Sequence, residues 1–192
     1  MGQNSQIYVR MDGPNGKILL ARYYSWVYGE RMVSRARAAI EWVRDYLDDG
    51  MGELLPGYTP KLVRILDTNF DMRDVQISID LLEERLEQFP EWKFSDYVFF
   101  HRNNNDGRLF LDIDIKNRVV KYAFVDTDCN VEHIMDAVSY MDWDHPDSEW
   151  RKELSADVVA TLALNAEYIK SRAVLMTTEE LMEFINYDYE GE

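Results

Sequence analysis

Val33, Ala36, Ile40, Val43 and Leu47 recur at intervals of three, four, three and four residues, and this recurrence limits the chain more than any other feature. It draws one apolar stripe down a helix near 26–48, about six turns long. A stripe of that length folds only if another layer covers it. The same stretch carries Arg31 and Arg35 one turn apart on a neighbouring face, and Tyr23, Tyr24, Trp26 and Tyr28 crowd its start. Arg22, Tyr24, Trp26, Arg31 and Arg35 are therefore a candidate basic and aromatic surface, of the kind that stacks bases or grips phosphate. The competing reading is that the rings seal the helix against a sheet while the arginines neutralise carboxylates within the fold.

The covering layer is legible as strands. Residues 7–11 and 17–23 flank the turn Asp12-Gly13-Pro14-Asn15-Gly16 and predict a hairpin. Residues 96–101, 108–115 and 118–125, separated by asparagine- and glycine-rich turns, predict three antiparallel strands in a meander, and 75–79 a short further strand. Leu109, Leu111, Ile113 and Ile115 alternate with Phe110, Asp112, Asp114 and Lys116, which predicts one buried face and one partly acidic face. Helices are predicted from Thr59-Pro60 through about Leu66, over 81–89 behind Asp80 and Glu83, over 131–141, and over 148–174, where the apolar residues widen enough to suggest a central position. Thr177 with Glu180 predicts a capping box for a last helix. Together these give a single α+β domain over 1–192. An antiparallel β-meander of about four to five strands is packed against several helices, including long ones near 26–48 and 148–174. An apolar fraction of 46%, with 13% aromatic, is enough for a true core.

Charge is unevenly spread along the chain. Residues 1–50 hold seven basic and six acidic side chains, 51–125 hold ten and thirteen, and 126–192 hold four and seventeen, within a formal net charge of −15. A field of that sign repels nucleic acid and anionic membranes and attracts basic partners. The expectation is a non-enzymatic interaction protein that docks its acidic carboxyl-terminal third on a protein with a basic surface, itself a nucleic-acid-binding protein or effector. Immunity proteins and nucleic-acid-mimicking inhibitors of phage or mobile-element type work on the same principle of charge and size. The docking face would be Asp142, Asp144, Asp147, Glu149 and Glu153. The single cysteine, Cys129, permits no internal disulfide, and no apolar run approaches the length of a membrane-spanning helix, so a cytoplasmic location is expected.

The alternative is a small metal-assisted hydrolase. Asp126, Asp128, His133 and Asp136 are ligand types within eleven residues, although neither a calcium-loop pattern nor a zinc spacing is present. Cys129 and His133 lie at i and i+4, a spacing that a helix would bring together for nucleophilic chemistry. Asp112 and Asp114 share a strand face about 7 Å apart, which paired catalytic carboxylates can use. No glycine-rich dinucleotide fingerprint opens a helix after a strand, so no cofactor is expected.

Overall fold

The computed structural model describes residues 4–13, 16–25, 30–49, 59–68, 77–100, 104–144 and 155–189. The predicted stripe is the inner face of α1 (Glu30–Asp48), where Val33, Ala36, Ile40, Val43 and Leu47 are all buried. Each larger side chain among them contributes roughly 1.5–3 kcal/mol by leaving water.

The layer they meet is a six-stranded mixed sheet in the order β3-β2-β1-β4-β5-β6. β1 (Asn4–Gly13) and β2 (Gly16–Ser25) form the predicted hairpin, in register from Asn4 with Ser25 to Gly13 with Gly16. β3 (Ile77–Asp80) extends it on the outside of β2. β4 (Arg108–Asp114) and β5 (Val119–Val125) form the second predicted hairpin, and β6 (Val174–Leu175) lies parallel to β5. The two hairpins join through β1 and β4, which run parallel with Arg10 opposite Asp112 and Asp12 opposite Asp114. A parallel pair requires a long crossover, and α1, α2 (Thr59–Leu66), β3, α3 (Leu81–Gln88) and α4 (Phe94–Phe99) all fall within it.

Helices cover both faces. On one side α1, α2, α5 (Ala137–Asp144) and α6 (Ala156–Arg172) meet Ile7, Val9, Leu109, Leu111, Tyr122 and Phe124. On the other, α3, α4 and α7 (Thr178–Asn186) meet Tyr8, Ala21, Phe110, Ala123 and Val125. The helices α3 and α7 begin where their caps predict. Asp80 accepts from the amides of Leu82 and Glu83, and Thr177 and Glu180 exchange side-chain and backbone bonds at 3.2 and 2.9 Å. Thr177→Ala should cost about 1 kcal/mol in urea unfolding, and a loss below a few tenths would show that Lys121 alone holds Glu180 and the helix start in place.

Three expectations need correction. The antiparallel meander is a mixed sheet, because β1 occupies the place beside β4 that residues 96–101 were expected to fill. Residues 96–99 belong to α4 instead. Phe94, Tyr97 and Val98 are buried at i, i+3 and i+4, and Asp96 accepts from the Lys93 amide at 3.0 Å. The face of β4 opposite α1 is acidic over only part of its length, as the alternation predicts: Phe110 is buried beneath α7, and the Asp112–Asp114 end reaches the edge of that cover. The helix expected from 131 begins at Ala137, since Met135 bridges to Phe124 and Asp136 caps the next turn through the Ser139 amide at 2.8 Å. The helix expected over 148–174 is described from Ala156, capped by Ser155, to Arg172. It lies in an outer layer, with Leu164 68% exposed and Ala160 and Ala163 also outward. Among the described residues no helix is long and apolar enough to cross a membrane.

Candidate functional site

A constellation of charged side chains lies where β1 and β4 end, on the face covered by α7. Strand alternation puts Arg10 and Asp12 on the same side as Tyr8, and the parallel register sets Asp112 directly beside Arg10. Arg10 is nearly fully buried. Its Nε and Nη2 donate to the two oxygens of Asp112 at 2.8 and 2.7 Å, and its Nη1 and Nη2 donate to the two oxygens of Glu183 on α7 at 2.9 and 2.8 Å. The guanidinium also faces the Phe184 ring, 4.9 Å from its centroid.

Around this bridge opens a cleft of about 470 Å³, lined by Asp12, Lys17, Asp114 and Lys121 among others. Lys17 pairs with Asp12 at 3.9 Å and lies 4.0 Å from the Tyr187 ring centroid, and Lys121 donates to Glu180 at 2.8 Å. The bond from Arg10 holds the Glu183 carboxyl below its usual range, and the bond from Lys121 does the same for Glu180. Each cation is already engaged by a carboxylate. The arrangement therefore acts as a brace that fixes α7 to the sheet rather than as a free anion site. Asp112, read from the sequence as a possible catalytic carboxylate, is half of that brace. Its neighbour Asp114 is bound to the Asn117 amide and side chain at 2.9 and 2.6 Å, and these bonds outweigh the burial that would otherwise raise its pKa.

Three of the basic and aromatic candidates meet in the interior. Tyr24 and Arg35 are fully buried, with the guanidinium stacked 4.7 Å from the ring centroid and its Nε donating to the Leu66 carbonyl at 2.9 Å. The Tyr24 hydroxyl donates to Asp67 at 2.9 Å, burial raises its pKa, and Arg22 pairs with Asp67 at 3.1 Å and Asp80 at 3.6 Å. These groups join β2, α1 and α2, and Tyr24 and Arg35 offer no outward surface to a nucleic acid. Trp26 lies outside the described residues, as does the side chain of Arg31.

Of the proposed acidic face, Asp142 is exposed on α5 and Asp144 closes that helix. The side chain of Asp144, and Asp147, Glu149 and Glu153 altogether, lie outside the described residues. Among the metal-ligand candidates, Asp126 accepts from the Asn130 amide at 2.9 Å, Asp136 caps α5, and Asp128 and His133 are exposed. No three His, Cys, Asp or Glu among the described residues stand where they could hold a metal ion. Cys129 and His133 share no helix. The thiol is buried and pushed up to about 11 by that burial, which keeps it protonated at neutral pH.

A second surface feature escaped the sequence reading. Between α3 and α4 the chain presents aromatic rings in a connected group. Phe89 stacks on Trp92 with centroids 4.3 Å apart, and Phe100 lies 5.4 Å from Phe89 and 5.1 Å from Trp92. Arg85 is buried beneath and donates to the Trp92 carbonyl, which ties the turn to α3. Phe100 is 37% exposed, and Leu86, one turn before Phe89, is 59% exposed. The available signal was the crowding of Phe89, Trp92, Phe99 and Phe100 among Glu83, Glu87, Glu91 and Asp96, which an expected β-strand at 96–101 concealed.

Compared with protein-family models, with curated proteins and with solved structures, the chain matches none of them.

Proposed function

We propose that this chain is a non-enzymatic binding protein whose carboxylate-rich exterior meets a basic surface on a protein partner, in the manner of immunity proteins and nucleic-acid-mimicking inhibitors. One observation carries the reading. Among the described residues the fold takes Arg10, Arg35, Arg85 and Arg108 inside, against only Glu84 and Asp106 of the acids. Among those residues more positive than negative charge is drawn inward, which leaves their outward-facing groups more acidic than their summed charge. Several of the remaining cations are also engaged: Arg22 with Asp67, Arg37 with Glu41, Lys121 with Glu180 and Arg172 with Asp48. A surface of this sign accelerates encounter with a cationic partner and disfavours phosphate-bearing ones.

The test is affinity capture from the source cell, followed by titration of the captured partner against salt. The partner should carry a basic surface, and affinity should fall at least about tenfold between roughly 50 and 500 mM salt, over which the screening length shrinks severalfold. Capture that returns only acidic or neutral proteins, or affinity indifferent to salt, removes the proposal.

A further inference from the structure

Resting on the reading above, we propose that the aromatic ledge of Phe89, Trp92 and Phe100, with Leu86 beside it, is the docking site for a basic, arginine-containing segment of a protein partner. Phe89 and Trp92 pack part of their surface against the core on that side and leave the rest accessible. That core buries Phe94, Tyr97 and Val98, while Leu86, Phe99 and Phe100 remain substantially in water. Connected apolar surface of this kind marks a place where something else binds.

Charge selects the occupant. Glu83 and Glu87 flank Leu86 on α3, Glu91 precedes Trp92, and Asp96 lies one turn before Phe100; all four are exposed. Lys93 is the one exposed cation between 81 and 100, since Arg85 is buried. Such a rim excludes phosphate, nucleic acid and anionic bilayers. It also opposes a second copy of this chain, whose net charge is −15. Arginine suits the ledge better than lysine, because a planar guanidinium stacks on a ring face while its edge donates to a carboxylate at the side. Leu86 adds an apolar contact for an aliphatic neighbour in the same segment.

The experiment uses the full chain and fluorescein-labelled peptides of alternating arginine and leucine, with lysine and citrulline in place of arginine as comparisons. Fluorescence anisotropy gives affinity, and hydrogen exchange maps the protected amides. The arginine peptide should bind, the lysine peptide more weakly, and the citrulline peptide not measurably. The paired changes Leu86→Ser with Phe100→Ser, and Glu87→Lys with Glu91→Lys, should each weaken binding about tenfold or more, with protection centred on 81–100. All four substituted positions are exposed, and unchanged circular dichroism verifies that the variants fold.

No binding by any peptide, unchanged affinity in both variants, or protection confined to other segments overturns the ledge as the site. If affinity is unchanged by the ledge variants yet still abolished by citrulline and by salt, the ledge is wrong while the charge-based reading stands. Reversible dimerisation in sedimentation equilibrium, lost in Leu86→Ser with Phe100→Ser, assigns the ledge to a second copy and also overturns the proposal.

Discussion

Arg10→Ala should lower the unfolding free energy by about 3 kcal/mol, the lower end of what breaking a buried ion pair costs. The figure follows from unequal exposure of the two partners. The Arg10 side chain is 5% exposed and that of Asp112 17%, so truncation strands a carboxylate that water reaches poorly. Glu183 is 55% exposed and recovers hydration when the guanidinium is lost, so its half of the bridge contributes little beyond its geometry. Replacing both Arg10 and Asp112 by apolar residues, as Arg10→Met with Asp112→Leu, removes the stranded charge and should return much of the lost stability. Urea unfolding distinguishes these cases through a midpoint that shifts at constant slope. A loss below about 1 kcal/mol for Arg10→Ala would show that solvent already screens the bridge.

The same bridge has a pH signature. The Glu183 carboxyl is held below its ordinary value of 4.5 chiefly by the Arg10 bond, against a smaller opposing effect of burial. A depressed folded-state pKa means that the unfolded chain takes up the proton first. The stabilisation is fully present above about pH 4.5 and is lost as pH falls through the folded-state value. The stability difference between the native protein and Arg10→Ala should therefore narrow slightly as pH drops from 7 toward about 3, by the small share that Glu183 supplies. A difference constant over that span would show that Glu183 adds nothing to the bridge.

What the sequence made legible is local in origin. The α1 stripe, the Asp80 cap, the Thr177–Glu180 box and both hairpins depend on residues within a turn or two of one another, and they appear where expected. The brace does not. Arg10 lies 102 residues from Asp112 and 173 from Glu183, and each of the three reads locally as an ordinary solvated charge. The parallel junction of β1 with β4 is equally nonlocal, because its crossover holds four helices whose order says nothing about which strand lies beside which.

The error at α4 has a different cause. Tyr97-Val98-Phe99-Phe100 has strong strand propensity, but Phe94, Tyr97 and Val98 together fill one helical face against α7 and the sheet, and tertiary packing overrides the propensity. Removing that false strand leaves the aromatic ledge exposed. For Arg35 and Tyr24 the positions near the start of α1 were legible, but their inward direction was not, since it is fixed by Leu66 and Asp67 at the end of α2.

Gly107→Ala should be the most damaging single methyl group in the described structure. Gly107 leads into β4 with φ of +75°, a conformation that costs an L-residue about 1–2 kcal/mol. Space adds to the strain. A Cβ there would stand 2.4 Å from the Val125 carbonyl oxygen and 3.3 Å from the Trp143 ring, and the first of these is backbone that cannot rotate away. Val125 pairs with Arg108, so relief requires β5 to move away from β4 at the point where their ladder begins. The Gly107 carbonyl also accepts from the Gln6 amide at 3.2 Å, which carries the displacement into β1. Strain and clash together should cost about 3–4 kcal/mol, a large share of the 5–15 kcal/mol that holds a typical domain folded. Gly13→Ala provides the comparison. Its Cβ would meet the flexible end of Ile115 at 3.3 Å, and Gly13 does not require a left-handed backbone, so its cost should remain within about 1 kcal/mol. Urea unfolding of both variants decides the matter, with soluble yield beside that of Gly13→Ala as the readout if Gly107→Ala does not fold. Equal stability of the two variants would mean that β4 and β5 separate at little cost, contrary to the tight approach between Gly107 and Val125.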